Sequence, residues 1–532
     1  MPAKKEDLRR YIIMSKEGFL TDQLGAPRFK PSATTVAVEA RAHAAIPAPE
    51  MRVLEALHEN GPKLVEMAPE GELSLRLSTP GLKIVPEVFY HRQWQRFKIR
   101  QRPEPDKAPV PKKKPTAKAA GVDAPNVAST AASTTSFDVL VTDASTGNPI
   151  AGAQVLAFAD FATFAGAVAS TAADGRATLN DLAPSRALER VYVYPPAGWW
   201  GYFAAGTTGA QVSQIKLEPI DVKASFLLLP QLYGSLPATA GAGVTVAVID
   251  TGIDGTHPDL PNVSGGLNCV GDEVRNNPAA AGKWGPALSE GEHGTHVAGI
   301  IGGRGTTSGF RGVAPSVTLR SYRVFPDDGS GASNFDIAKA IDAAVADKCD
   351  LINMSLGGSD KDDFTNAAID RALAAGVVVI VAAGNDYRKP VAFPAAFPDS
   401  VAVSAMGRVG SFPKEALGSS DVASPKGVPS ANDFLADFTN FGPEIDVTGP
   451  GVEIVSTLPG KGHGSMSGTS MACPAVTGFA AYLLAADPNL KQKSGMDRSR
   501  ALKDSLYRAC KPEGFGRDYE GFGLPLPSAV TS

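Results

Sequence analysis

Residues 468–478 read GTSMACPAVTG and place Ser470 where a loop of small residues runs into a long apolar helix. Two shorter stretches precede it, VAVIDTG at 246–252 and HGTHVAG at 293–299. An aspartate, a histidine and a serine therefore follow one another along the chain. Hydroxyl-based acyl transfer needs these side chains, because a carboxylate orients the base and the base deprotonates the nucleophile. The pattern predicts a serine protease.

The same half of the chain predicts the fold. Strand-like apolar runs such as VTVAVID (244–250) and VVVIVAAG (377–384) alternate with helical stretches. Apolar runs without alternation indicate strands that are buried on both faces of a mostly parallel sheet. We therefore expect residues 225–528 to form an α/β domain whose sheet is covered by helices. Ligands of such sheets bind at the carboxyl ends of the strands, where Asp250 and Asn385 lie.

Residues 240–528 resemble the catalytic domain of the subtilisin-like serine proteases, the subtilase family. The motifs VIDTG, HGTHVAG, INMSLGG, AAGN and GTSMA occur in the family's order. The resemblance implies that Asp250 orients the base, His293 is the general base and Ser470 is the nucleophile. It also implies that the amide of Asn385 donates to the oxyanion. The unpaired N–H groups at the start of the helix after Ser470 favour the same negative charge.

The resemblance also implies where an extended polypeptide substrate binds. One substrate-pairing strand is implied at the GSG stretch, a second at SLGG, and the primary pocket between SLGG and AAGN. The residues implied are Gly329, Ser330, Gly331, Ser355, Leu356, Gly357, Gly384 and Ala392. Many relatives have glycine in place of Ala392, so the pocket is expected to be shallow. Asp386 either places a negative charge at the rim of this pocket, which would favour a basic side chain in the substrate, or is an ordinary exposed polar residue. We expect broad specificity, with medium apolar or basic residues before the cut.

The first 100 residues predict a small α+β domain that resembles the family's propeptide. Its predicted strands are YIIMSK, TTVAVEA, KLVEMA, LSLRLS and LKIVPEVFY, and its predicted helix is PEMRVLEALHENG (49–61). The resemblance implies that LKIVPEVFY (82–90) lies across the enzyme before it is cut. A zymogen is therefore expected, with the cut between about residues 90 and 136. The linker and the further domain that follow argue against product-like inhibition by a contiguous segment.

Two more regions separate this domain from the protease. Residues 101–135 are rich in Pro, Lys, Ala, Ser and Thr, which predicts a linker. Its three consecutive lysines, 112–114, are either a binding or cleavage site or, as we favour, part of a solvated spacer. Short alternating strands in 136–222 predict a small β-sandwich. FDVLVTDASTGNPIAGAQVLAF resembles the transthyretin-like carboxypeptidase regulatory module, which implies no catalytic role. Trp199 and Trp200 would be a protein or carbohydrate contact if exposed; edge packing is the favoured alternative.

Composition limits the class of partner and the compartment. The formal net charge of −4 over 532 residues gives no basic surplus for nucleic acid. The N-terminal residues lack the apolar core of a secretory signal, and the apolar runs are too short to cross a membrane. We therefore expect a cytoplasmic protein, or one exported by a non-standard route. Four scattered cysteines do not form a disulfide framework, although one bridge is open.

The chemistry needs no cofactor, and structural calcium is an open expectation. Asp259 in HPDL matches a family calcium ligand, but Arg304 and Thr306 stand where the family has uncharged or amide ligands. Two insertions, one before His293 and one before FTNFGPE, are expected to be surface loops near the active site. The alternatives to an ordinary endopeptidase are an inhibited or highly selective processing protease and a binding scaffold on a protease fold.

Overall fold

The computed structural model describes residues 8–15, 51–59, 61–79, 81–99, 135–306 and 308–530. These residues form two compact units. The larger unit contains the described residues of Met1–Gln95, Asp221–Phe412 and Asp421–Ser532, and the smaller contains those of Arg96–Ile220 and Pro413–Ser420. The predicted strand TTVAVEA and all but the last residue of the predicted linker lie outside the described residues.

The N-terminal domain, which we define as the described part of 8–92, is built on an antiparallel sheet. Its elements are β1 (Arg9–Ser15), β2 (Met51–Ala56), β3 (Lys63–Met67), α1 (Pro69–Ser78), β4 (Leu82–Pro86) and β5 (Phe89–Arg92). The sheet order is β2-β3-β1-β4. Alternate residues of β1 point to opposite faces: Tyr11 and Ile13 pack with Leu75 of α1, whereas Ile12 and Met14 join the apolar core of the protease.

Two element types in this domain differ from the sequence prediction. Residues predicted as the helix PEMRVLEALHENG contain strand β2, and the predicted strand LSLRLS is the end of α1. Helix α1 begins with Pro69, carries Glu70 and Glu72 in its first turn and ends with Arg76 in its last. These are favourable helix-terminal residues, and they outweigh the alternation of LSLRLS. Pairing with β3 holds the other segment extended despite its helical spacing.

The smaller unit consists of two sheets around one apolar core. Its strands are β6 (Ser136–Asp143), β7 (Gln154–Asp160), β8 (Ala165–Ser170), β9 (Arg176–Asn180), β10 (Ala187–Tyr194), β11 (Tyr202–Thr208) and β12 (Gln214–Leu217). The sheet orders are β11-β10-β7-β8 and β12-β6-β9, and side chains from both sheets fill the core. The tryptophan pair is not an exposed contact surface. Trp200 is buried, and the indole N–H of Trp199 donates to Asp143 at 2.8 Å.

The protease domain is the remainder of the larger unit. Its strands are β13 (Thr245–Asp250), β14 (Val263–Asn268), β15 (Thr318–Arg323), β16 (Ala332–Ser333), β17 (Leu351–Met354), β18 (Leu356–Gly357), β19 (Val378–Ala382), β20 (Val401–Arg408), β21 (Val422–Lys426), β22 (Asp433–Ala436), β23 (Val447–Pro450), β24 (Ile454–Leu458), β25 (Gly462–Met466), β26 (Cys510–Lys511) and β27 (Leu524–Pro525). Its helices are α2 (Leu228–Tyr233), α3 (Gly271–Asn276), α4 (Glu292–Gly302), α5 (Asn334–Ala346), α6 (Asp363–Ala374), α7 (Thr469–Ala486), α8 (Pro488–Gln492), α9 (Gly495–Arg508), α10 (Arg517–Glu520) and α11 (Pro527–Val530), with a 3₁₀ helix at Pro278–Gly282. A second 3₁₀ helix, Leu417–Asp421, belongs to the smaller unit except for its last residue.

The main sheet has the order β14-β15-β13-β17-β19-β20-β22-β21, and β23 also pairs with β20. Pairing is parallel from β14 to β20 and antiparallel only where β22 and β21 are added. The prediction of a mostly parallel sheet is therefore confirmed. Its central strands β13 and β19 are buried on both faces almost throughout, as their unbroken apolar sequences require.

Helix α7 carries Ser470 and runs through the interior of the protease domain. Its length and composition would allow it to cross a membrane, but 83% of it is buried inside the protein. Its apolar side chains therefore serve as core.

Both insertions contain regular structure, which corrects the expectation of plain loops. The first contains α3 and the 3₁₀ helix Pro278–Gly282. The second contains β21 and β22. Strand β22 pairs with β20 in the main sheet, and its four residues are all buried.

Candidate active site

Asp250 and His293 meet where a strand end faces a helix start. Asp250 is the last residue of β13, and His293 lies in the first turn of α4. Both are fully buried, and the Nδ1 of His293 lies 2.8 Å from the Oδ1 of Asp250. A Cβ on Gly294 would lie 2.4 Å from the carbonyl oxygen of Gly252, so the glycine permits this close approach. The carboxylate fixes the imidazole with its Nε2 facing away from Asp250.

Ser470 lies at the start of α7, and its hydroxyl is not hydrogen-bonded to the imidazole of His293. Its Oγ donates to the carbonyl oxygen of Ser355 at 3.0 Å. The Nε2 of His293 is buried and has no hydrogen-bond partner among the described residues. The nucleophile and the base are therefore both present, and the hydrogen bond between them remains to be made. Such bonds commonly tighten only in the reacting complex.

Asn385 follows β19, and hydrogen bonds to its side-chain oxygen fix the orientation of its amide group. Its Oδ1 accepts from the backbone N–H and from the hydroxyl of Thr469, both at 2.9 Å. Its Nδ2 is buried without a partner in the part of the chain that the structure describes. This orientation leaves a donor available beside the N–H of Ser470. Two such donors can stabilise an oxyanion.

The second histidine of α4 has a structural environment. His296 is fully buried, and its Nε2 lies 3.1 Å from the carbonyl oxygen of Gly464. Burial lowers the pKa of His296 to about 3. The ring is therefore neutral at neutral pH, and its Nε2–H donates to the carbonyl oxygen of Gly464.

The protein's own chain runs through the site. We call residues 89–95 the bound segment. Strand β5 pairs antiparallel with β16 on one side and with β18 on the other. The carbonyl oxygen of Gln93 accepts from the N–H of Ser470 at 2.9 Å, and the N–H of Gln93 donates to Ser355 at 3.3 Å. The carbonyl of Gln93 is thus held by the N–H of the serine that would attack it.

Gln93 fills a pocket that satisfies its side-chain amide. Its Nε2 donates to the carbonyl oxygen of Gly357 at 3.0 Å, and its Oε1 accepts from the N–H of Asn385 at 3.1 Å. The methyl group of Ala392 lies against Gly357, 3.2 Å from where a Cβ on that glycine would be. The pocket therefore offers a polar end to a side chain of medium length.

The chain continues on the far side of Gln93 without a break. The indole ring of Trp94 meets the ring of His293 edge to face, with centroids 5.3 Å apart. The N–H of Gln95 donates to the carbonyl oxygen of Ser467 at 2.8 Å. A Cβ on Gly468, whose φ is +151°, would lie 2.4 Å from the carbonyl oxygen of Gln93. The active-site cleft therefore holds residues on both sides of the Gln93–Trp94 peptide bond.

The other implied substrate residues lie around the bound segment, with one shift. The first pairing strand is Ala332–Ser333 rather than the GSG stretch, although Gly331 lies close to Tyr90. Leu356 and Gly357 pair as implied. Asp386 exchanges two hydrogen bonds with Asn440, at 2.8 and 3.1 Å, and so helps to hold the loop that follows Asn385.

Sequence reasoning missed Gln93, Trp94 and Thr469 as site residues. Gln93 and Trp94 follow LKIVPEVFY directly, so extending that strand by a few residues would have found them. Thr469 adjoins Ser470 in the GTSMA motif, but no sequence pattern assigns it a role. Its hydroxyl orients Asn385 and accepts from the N–H of Gly384 at 3.2 Å.

The surroundings of Asp259 do not fit a calcium ion. Its Oδ2 lies 2.9 Å from the Nε2 of His463 and also accepts from the hydroxyl of Ser308. The imidazole and the hydroxyl are both hydrogen-bonded to this carboxylate, whereas calcium binds several oxygen ligands whose lone pairs face the ion. Among the described residues, no group of three or more His, Cys, Asp or Glu side chains could hold a metal ion. The implied metal role of Asp259 is therefore not supported.

Known proteins are similar in sequence to the part of the chain that contains these residues. The Subtilase family matches residues 241–523. Subtilisin of Bacillus pumilus is 39% identical over 262 residues, which cover 48% of this chain and 82% of that protein. Subtilisin E of Bacillus subtilis (strain 168) is 39% identical over 262 residues, with 48% of this chain and 60% of that protein covered. The solved structure of Sphericase is 29% identical, with a TM-score of 0.46, over 56% of this chain and 97% of that chain.

The fold and the match define the larger part of the chain as a serine endopeptidase domain, a peptide hydrolase that acts on polypeptides. The chain belongs to the subtilase family.

Proposed function

We propose that the chain is the zymogen of a serine endopeptidase that cuts itself between Gln93 and Trp94. The observation that carries the proposal is the hydrogen bond of 2.9 Å from the N–H of Ser470 to the carbonyl oxygen of Gln93. A peptide carbonyl in this position is bound as a substrate. The N-terminal domain is then the propeptide.

The reaction begins when the hydroxyl of Ser470 leaves the carbonyl of Ser355 and turns to His293. The Nε2 of His293 takes the hydroxyl proton as Oγ forms a bond to the carbonyl carbon of Gln93. The carbonyl oxygen becomes an oxyanion, which the N–H of Ser470 and the Nδ2 of Asn385 stabilise. Asp250 holds the imidazolium in place throughout.

The tetrahedral intermediate collapses when His293 gives its proton to the nitrogen of Trp94. The bond between Gln93 and Trp94 breaks, and the acyl group remains on Ser470. His293 then takes a proton from water, and the hydroxide adds to the carbonyl carbon of Gln93. The ester bond to Oγ breaks, which leaves the carboxylic acid of Gln93 (ionised at neutral pH), and His293 returns the proton to Oγ. The imidazole needs only one free nitrogen for these transfers, and Nε2 is that nitrogen.

Cutting alone does not empty the site, because the N-terminal domain is bound to the protease independently of the scissile bond. Lys83 pairs with Asp363 at 2.7 Å, and Arg275 pairs with Glu55 at 2.6 Å. Apolar residues of β1 also join the protease core. The new carboxylate of Gln93 therefore remains in the cleft until the whole domain leaves, which delays activation.

Intact-mass measurement over time tests the proposal. We expect the full chain to yield a fragment that begins at Trp94, and we expect a fluorophosphonate to label Ser470 after the N-terminal domain is lost. The variant Ser470→Ala should keep its full mass and take no label, whereas Ser308→Ala should behave as wild type. Equal masses for wild type and Ser470→Ala after long incubation would refute self-cutting. A folded chain that never takes the label would instead favour the binding scaffold.

A further inference from the structure

Arg92, the residue immediately before Gln93, is bound in a pocket of its own. Its side chain is only 9% exposed. Its Nη2 donates to the carboxylate of Glu290 and lies 3.5 Å from the carbonyl oxygen of Gly329. The guanidinium carbon lies 4.8 Å from the centre of the Phe325 ring. A carboxylate on one side and an aromatic face on the other form a site for a planar cation.

Glu290 comes from the insertion that precedes α4 and is held in an uncommon conformation. Its φ is +52°, in the left-handed region that is strained for a residue with a side chain. Its side chain is 17% exposed. The strain is stored where the carboxylate meets Arg92, which suggests that the loop is shaped for this contact.

Neighbouring hydrogen bonds pin the same loop to the protease domain. The N–H of Ala287 donates to the carbonyl oxygen of Thr251 at 2.8 Å, and the N–H of Leu288 donates to Asp327 at 2.9 Å. A Cβ on Gly291 would lie 2.0 Å from the carbonyl oxygen of Ala287, so the turn closes tightly. The carboxylate of Glu290 is therefore part of a built loop and does not depend on the bound segment for its position.

We propose that Glu290 selects substrates with arginine at the second position before the cut. The inference rests on the proposed function, because it takes the bound segment as a substrate. The substrate class is then polypeptides with an Arg-Gln pair before the scissile bond. This narrows the broad specificity expected from the sequence, and it moves the basic preference from the primary pocket to the adjacent one.

Arginine fits this pocket better than other residues for three physical reasons. A neutral side chain would leave the buried carboxylate without its cation, which costs binding free energy. An acidic side chain would face Glu290 directly. A lysine would keep the charge but lose the flat contact with Phe325, because its ammonium is compact and strongly hydrated.

The test uses the full chain after it has activated itself, with internally quenched peptides based on residues 89–95, FYHRQWQ. The arginine of the peptide is replaced in turn by Lys, Ala and Glu. For the wild-type enzyme we expect kcat/KM to fall about 30-fold from Arg to Ala, as for the loss of one partner from a buried charge pair. We expect a smaller fall for Lys and the largest for Glu.

The enzyme variants separate recognition from folding. Glu290→Gln should shrink the Arg-to-Ala ratio of kcat/KM to a few-fold. The control Asp328→Asn removes a nearby negative charge that, in the described structure, forms no ion pair with Arg92, and it should keep the wild-type ratio. A purely structural role of Glu290 would leave the ratio unchanged. If Glu290→Gln does not fold, the peptide series on wild type still decides the matter.

Two failures remain distinguishable. An enzyme that takes the fluorophosphonate label on Ser470 but cuts the Arg and Ala peptides equally well would overturn the role of Glu290 alone. A chain that folds, loses its N-terminal domain and takes no label would overturn the proposed function, and this inference with it.

Discussion

In the described part of the protease domain, two buried aspartates, Asp250 and Asp259, each contact a histidine, and only one of these pairs is arranged for catalysis. In the first, the Nδ1 of His293 lies 2.8 Å from Asp250. In the second, the Nε2 of His463 lies 2.9 Å from Asp259. Both carboxylates are fully buried. The distances and the burial of the carboxylates therefore do not distinguish the two pairs.

The position of the serine distinguishes them. Ser470 starts a helix beside the free Nε2 of His293, whereas the hydroxyl of Ser308 donates to the carboxylate of Asp259. The ring of His463 packs against the rings of His257 and Phe310, with centroids 5.4 and 5.5 Å away. A serine on the carboxylate cannot pass its proton to the imidazole. A catalytic triad therefore depends on which group the serine contacts, the imidazole or the carboxylate, and not only on the presence of the three residue types.

Replacing each histidine in turn should give the largest difference between the two pairs. His293→Ala should slow self-cutting by about 10⁶-fold, because the serine loses its base. His463→Ala should continue to cut itself, since its ring touches no reacting atom. The measurement is the rate at which intact full-length mass disappears. If His463→Ala were as inactive as His293→Ala while still folded, the two pairs would not differ as we argue.

The oxyanion donor lies beside the first pair only. Asn385→Ala should reduce the rate of self-cutting by roughly 10²- to 10³-fold, because one of two donors to the oxyanion is lost. The melting temperature of Asn385→Ala in a Ser470→Ala background serves as the control for lost folding. A rate close to that of wild type would mean that the Nδ2 of Asn385 does not contact the oxyanion.

The second pair should matter for stability. Asp259→Asn should lower the free energy of unfolding by about 2 kcal/mol, because a carboxylate that accepts from both His463 and Ser308 is replaced. Ser308→Ala removes only one of these bonds and should cost about 1 kcal/mol. Urea titration of both variants in a Ser470→Ala background avoids self-cutting. Equal stability of Asp259→Asn and its parent would contradict a structural role for the pair.

We expect acid to lower the stability of the fold by protonating histidines that have no catalytic role. Burial lowers the pKa of His296 to about 3, and it also lowers that of His463, although Asp259 opposes the second shift. Below about pH 6.5 the unfolded chain then binds more protons than the folded one, so stability falls as the pH drops from about 6.5 towards 3. The variant His296→Gln, in a Ser470→Ala background, should show a flatter dependence of melting temperature on pH over this range. An unchanged slope would show that His296 is not the group responsible.

The local surroundings of the candidate site residues can be inferred from the sequence. Asp250, His293, Asn385 and Ser470 each stand at a strand end or a helix start, and the apolar runs that define those ends can be read directly. The parallel sheet could be predicted for the same reason. These features depend on residues a few positions apart.

Features that depend on pairing between distant segments could not be predicted. Gln93 lies opposite Ser470 only because β5 pairs in one register with both β16 and β18. Glu290 reaches Arg92 through the conformation of an insertion that has no periodic pattern. The strand β2 has the same origin, since pairing with β3 overrides the helical spacing of its sequence.

The edge-to-face contact between Trp94 and His293 gives the protein an optical signal of its own activation. The chain has four tryptophans, and in the described structure Trp94 is the one whose ring meets the imidazole of the base. If the chain cuts itself as proposed, Trp94 becomes the first residue of a new chain and its backbone is no longer joined to Gln93. The change in tryptophan emission would then follow the cut in real time, without a label or an added substrate.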